Sequence, residues 1–188
     1  MIATEMDDNP APLGDSLRDR LDACRQAGLP GLPVPELLRF VAEVASDLDA
    51  RGRPCGNVKP DTIWIVDGRA RLSDDSVVDM LPALGPGTLT GTPAYMAPER
   101  WTGELTARSD QYALGCSYAE LRIGRLPFSG SDLPTIMRAH LSSPPDLEGC
   151  TQAEQRVLRR ALAKTADQRF PSCRQLAEQL AQAVATGE

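Results

Sequence analysis

The stretch Cys55-Gly56-Asn57-Val58-Lys59-Pro60-Asp61-Thr62-Ile63-Trp64-Ile65-Val66-Asp67-Gly68-Arg69-Ala70-Arg71-Leu72-Ser73-Asp74-Asp75-Ser76 sets two polar loops on either side of two short apolar runs. The runs Ile63 to Val66 and Arg69 to Leu72 flank Asp67-Gly68, a dipeptide that accepts the positive φ angles of a two-residue type I′ turn. A β-hairpin is expected here. Pairing across so tight a turn holds the two loops side by side, which brings Lys59 and Asp74 to one end of the strands. A cation and a carboxylate converging from two loops are the beginnings of a phosphate and metal site; their neighbours decide whether the site is completed or decayed.

Upstream of the hairpin, Leu37, Leu38, Val41, Val44, Ala45 and Leu48 recur at helical spacing. Pro35 suits the first turn of such a helix, where its missing N–H costs nothing, and Gly52 ends it. Nearer the N-terminus, Ser16 to Leu21 begins a short surface helix that Gly28 and Pro30 stop. Asp7 to Gly14, with two prolines, reads as a linker, and Met1 to Met6 as a short edge strand. Downstream, Val77 to Thr90 has Pro82, Gly85, Pro86 and Gly87 but no period; a loop of that length inside a compact domain is usually functional or mobile. Thr151 with Glu154, and Ser172 with Gln175, are capping-box pairs. The helices that follow them carry apolar stripes of Val157, Leu158, Ala161 and Leu162, and of Leu176, Ala177 and Leu180. Another helix, around Leu133 to Leu141, holds the single histidine, His140, read as structural on a surface-like helix.

With 188 residues, of which 41% are hydrophobic, one compact domain is expected. No apolar run approaches the roughly 20 residues of a membrane helix, and no signal peptide is recognisable, so no membrane partner and a cytoplasmic location are expected. Five cysteines without a CxxC pair fit reduced thiols. A net charge of -6 with no basic cluster argues against nucleic acid as a partner and leaves proteins or nucleotides.

The segment Gly91-Thr92-Pro93-Ala94-Tyr95-Met96-Ala97-Pro98-Glu99 resembles the end of the activation segment of a protein kinase, closing on Ala-Pro-Glu. Three further segments resemble that family in the right order. Ser109 to Cys116 is similar to the start of the central buried helix of the C-terminal lobe, Leu126-Pro127-Phe128 to the turn after it, and Ala166 to Phe170 to the segment whose arginine pairs with the glutamate of Ala-Pro-Glu. The chain is closest in pattern to bacterial serine/threonine kinases of the eukaryotic type. The fold implied is mainly α, a kinase-like C-lobe built as a helical bundle with one small β-hairpin. Residues 1–15 would be a residual hinge or linker, 16–182 the lobe, and 183–188 a tail.

The resemblance also assigns roles. Asn57 stands where the family has its catalytic aspartate, Lys59 keeps the loop lysine, and Thr62 replaces the asparagine beside the nucleotide that ligates magnesium. Asp74 matches the metal-binding aspartate of Asp-Phe-Gly, but Asp75 and Ser76 replace the next two residues. Gly56 replaces the arginine that receives an activation-loop phosphate, so Thr88 and Thr90 lose one handle for regulation. Thr92 and Glu99 belong to the activation segment. Glu99 is expected to pair with Arg169, and Asp110 to hydrogen-bond backbone N–H groups of the catalytic-type loop. The family's glycine-rich loop, strand lysine and helix glutamate are not found, so a C-lobe alone is expected. The implied function is a catalytically impaired, protein-binding or regulatory module with no cofactor. The alternative is a divergent active kinase that uses ATP and magnesium with an N-lobe from another chain.

Overall fold

The computed structural model describes residues 14–73 and 92–187. The expected strand at Met1 to Met6, the linker up to Leu13, the loop from Val77 to Thr90, and Asp74 lie outside them. The described residues form six α-helices and one two-stranded sheet, which packs on α2 and α1.

Helix α1, Leu17–Gln26, opens on a reciprocal cap: the Asp19 N–H donates to the Ser16 hydroxyl at 3.1 Å, and the Ser16 N–H donates to the Asp19 carboxylate at 2.9 Å. It lies at the surface for most of its length, and its inner face turns Leu17 and Leu21 into the core. Helix α2, Val34–Ala50, buries Leu37, Phe40, Val41, Val44, Ala45 and Leu48. The apolar stripe was legible, although Phe40 occupies a core position and Leu38 only packs at the margin.

Strands β1, Ile63–Val66, and β2, Arg69–Leu72, pair with Val66 opposite Arg69 and Ile63 opposite Leu72. That register leaves a two-residue loop, and Asp67 (φ 52°) and Gly68 (φ 74°) both adopt the left-handed conformation it requires. The outward backbone groups are also satisfied. The Ile65 N–H donates to the Asp15 carbonyl at 2.8 Å, and the Ala70 N–H to the Glu43 carboxylate of α2 at 2.6 Å, so neither hairpin edge is left bare.

Helix α3, Ala107–Ile123, is the axis of the molecule. Every residue from Ser109 to Leu121 is buried, and α2, α5 and α6 all pack against it. It stops at Gly124 (φ 75°), where an added Cβ would lie 2.1 Å from the Pro30 carbonyl oxygen; only glycine fits both the dihedral and the space. Helix α4, Leu133–Ser142, starts at an Asp132 cap. Its histidine is not on a surface: His140 is fully buried, with Nδ1 3.0 Å from the Tyr112 hydroxyl and its ring 4.6 Å from that of Phe128. The rest of the helix is largely exposed, as read, but Phe128 and Tyr112 enclose the one inward side chain.

Helices α5, Gln152–Ala161, and α6, Cys173–Thr186, complete the bundle. Thr151 and Glu154 form the full capping box. At α6 Ser172 supplies only one half, and Asp49 of α2 accepts from the N–H groups of Cys173 and Arg174, both at 3.0 Å. A carboxylate from a distant helix thus satisfies two first-turn N–H groups, while the expected return contact from Gln175 to Ser172 is not formed.

Candidate functional site

The catalytic-type loop runs from Cys55 into a single 3-10 turn, Pro60–Thr62, that feeds β1. Asp110, in the first turn of α3, holds it from beneath: its two carboxylate oxygens accept from the N–H groups of Cys55 and Gly56, each at 2.7 Å. Gly56 has φ 76°, which lets two successive N–H groups point toward one carboxylate. Burial pushes the Asp110 carboxyl up to about 6, while those two donors and the nearby Arg100 and Arg51 favour its charged form.

Lys59 and Thr92 meet. The Lys59 ammonium donates to the Thr92 hydroxyl at 2.7 Å, tying the loop to the activation-segment end. Thr62 does not face outward as a ligand would. Its hydroxyl donates to the Asn57 carbonyl at 2.6 Å and accepts from the Lys59 N–H at 3.2 Å, so the side chain closes the turn it belongs to. The Asn57 amide itself makes no hydrogen bond among the described residues and is partly exposed. Between these residues lies a pocket of about 20 Å³, lined in part by Asn57, Lys59, Thr92, Met96, Arg100 and Asp110. That is room for roughly one water molecule.

Two buried networks hold the segment that follows. Arg169 forms a two-pronged pair with Glu99, both contacts at 2.8 Å, and also donates to the carbonyls of Arg108 and Ala163. Its side chain is fully buried, so these carbonyls are what satisfy the remaining N–H groups. Burial opposes the Glu99 charge, but Arg169 and Ser109 outweigh it and hold the carboxyl below its ordinary range. The second network joins Tyr95, Glu120 and Arg18. The Tyr95 hydroxyl donates to Glu120 at 2.5 Å, and Arg18 donates to Glu120 at 2.8 Å and to the Tyr95 oxygen at 2.8 Å. Burial and the Glu120 charge raise the Tyr95 pKa, so its proton stays in place at neutral pH.

Sequence reasoning missed Arg18, Tyr95 and Glu120 as a unit. The signal was present: Glu120 sits inside a helix otherwise read as wholly buried, and a buried carboxylate requires a partner. Gln111 carried a similar signal. It is fully buried and exchanges hydrogen bonds with the Phe170 backbone, donating at 2.8 Å and accepting at 2.9 Å.

Thr62 has spent its hydroxyl on the backbone, and no group of three His, Cys, Asp or Glu side chains is placed to hold a metal ion among the described residues. What the arrangement can do is hold a rigid loop against a segment ending in Glu99.

No protein-family model matches the chain. It is 32% identical over 154 residues to the serine/threonine-protein kinase Pkn1 of Myxococcus xanthus, covering 74% of this chain and 22% of that protein. It is 33% identical over 168 residues to the serine/threonine-protein kinase PknD of Mycobacterium tuberculosis, covering 79% and 24%. PknF of the same species is 34% identical over 171 residues, covering 84% and 35%. The chain thus spans between about a fifth and about a third of the length of these relatives.

Proposed function

Since the chain is a C-lobe of the protein kinase superfamily, similar to bacterial serine/threonine members, we propose that it acts as a catalytically impaired module that works by binding another protein. The observation that carries this reading is the state of the loop. Asn57 presents an amide where the family has a carboxylate, and Thr62 is turned into its own backbone. An amide can orient a hydroxyl but cannot take its proton, and general-base assistance is worth about 10²–10⁴ in rate. The partner is a protein, including one that bears a kinase N-lobe, and no cofactor is required. No helix among the described residues is long and apolar enough to cross a membrane, which agrees with the proposed cytoplasmic setting without fixing it.

A second reading has an observation in its favour. Lys59 still reaches Thr92, and Asp110 still holds the loop backbone. A weak kinase completed by an N-lobe and by Asp74, with ATP and magnesium, would keep those contacts. A phosphotransfer assay with labelled ATP and a basic protein substrate separates the two. The 188-residue chain is expected to transfer no phosphate above background. Transfer that disappears in an Asp74→Ala variant would establish the second reading instead.

A further inference from the structure

Helices α5 and α6 leave between them an open groove of about 330 Å³ that shares no residue with the catalytic-type loop. Buried Ala153, Phe170 and Ala183, with Val157 beside them, give its floor an apolar strip, and Gln179, Gln182 and Thr186 of α6 add polar groups to it. Arg156 and Arg160 stand on its rim, one helical turn apart on α5. The Arg160 guanidinium lies 4.3 Å from the centre of the Phe170 ring, which fixes its plane and leaves its N–H edge available.

Arg18, Arg20, Arg71, Arg122, Arg125 and Arg169 each meet a carboxylate. Among the described residues Arg156 and Arg160 meet none and neither guanidinium makes a hydrogen bond; other surface arginines such as Arg138 share that state, but only these two stand on the rim of a groove, and no described carboxylate lines it. In a chain of net charge -6, an apolar trough edged by two unpaired guanidinium groups is complementary to an anion that carries apolar groups.

We propose that the α5–α6 groove docks an acidic peptide segment of a partner protein. Carboxylates of the peptide engage Arg156 and Arg160 through paired N–H contacts, and an apolar side chain between them rests on Val157 and Phe170. This assignment gives the protein-binding module a partner chemistry, yet it does not depend on whether the Asn57 loop retains activity.

The test is fluorescence anisotropy of the full chain with a fluorescein-labelled peptide of repeating Glu-Glu-Leu units, beside a Lys-Lys-Leu counterpart. The acidic peptide is expected to bind saturably and to weaken in high salt. Arg156→Glu, a substitution at an exposed position with no internal partner, is expected to reduce its affinity by about tenfold. Arg160→Gln should weaken it further, and circular dichroism of both variants reports whether the helices persist. Absence of saturable binding, equal affinity in Arg156→Glu, or equal binding of the lysine peptide would overturn the proposal. Self-association of the chain that Arg156→Glu abolishes would also overturn it, since the occupant would then be a second copy.

Discussion

Thr62 of the catalytic-type loop and the helical frame around it use their polar groups in opposite ways. Although Lys59 reaches Thr92 and Asp110 holds the loop backbone, Thr62 bonds only to Asn57 and Lys59, partners within five residues of it. In the frame, the partners come from far away along the chain: Glu99 and Arg169 are 70 residues apart, Arg18 and Glu120 are 102 apart, and Tyr118 and Glu154 are 36 apart. A contact between distant segments closes the fold, so losing one side strands a charge in the core. A contact within one turn shapes only that turn. This difference explains how Asn57 and Thr62 can stand at the chemical positions of a kinase loop while the lobe that carries the loop keeps its architecture.

The comparison breaks most visibly if the frame is not fragile. Arg169→Ala removes the two-pronged partner of Glu99 and leaves a largely buried carboxylate with only Ser109 and the nearby Arg100 to offset its charge. It is expected to cost about 3–5 kcal/mol in urea unfolding, enough to leave much of the chain unfolded at ordinary temperature. A loss under about 1 kcal/mol would mean that Glu99 reaches water and that the pair is not structural.

A second effect is set by pH. Burial, with the Lys164 charge beside it, lowers the His140 pKa to about 4, and its buried Nε2 has no hydrogen-bond partner among the described residues. Between the ordinary value near 6.5 and the folded value the unfolded chain binds the extra proton and the folded chain does not, so stability falls as pH drops through that window. Asp110 acts with the opposite sign, because its raised pKa makes the folded state the better proton binder in acid. Its contribution cancels when the wild type is compared with His140→Gln. The wild type should therefore lose roughly 3 kcal/mol more than the variant on going from neutral pH to pH about 4. Parallel pH profiles would show that His140 is solvated or charged in the folded state.

The smallest effect belongs to the loop. Asn57→Ala removes an amide that holds nothing among the described residues, and its unfolding free energy should stay within about 0.5 kcal/mol of wild type. A loss as large as that from Arg169→Ala would erase the distinction between loop and frame.

Periodicity and turn chemistry made most of the fold legible. The α2 stripe, the Asp67-Gly68 hairpin and the Thr151 cap are local patterns, and each has a direct structural counterpart. α1 and the His140 helix do lie at the surface, but which of their side chains turn inward was not legible, because the elements that bury Leu17, Leu21 and His140 are remote in sequence. Nothing near His140 in sequence announces Tyr112 or Phe128, and nothing near Arg18 announces Glu120. At the candidate site, Asn57, Lys59, Thr62, Thr92, Glu99, Asp110 and Arg169 were marked by resemblance, and the structure adds how they are joined. The inward turn of Thr62 was not legible, because a hydroxyl can as well cap a turn as face a ligand. Asp74 lies outside the described residues.

The central claim, that the frame persists while the loop does not bind nucleotide productively, is tested most directly by the melting temperature of the purified chain with and without magnesium and ATP. A ligand that binds the folded state at a hundred times its dissociation constant stabilises by about 2.7 kcal/mol, a rise of several degrees for a domain of this size. The account predicts one cooperative transition that magnesium ATP leaves unmoved. A reproducible rise of several degrees that requires both magnesium and ATP would contradict it.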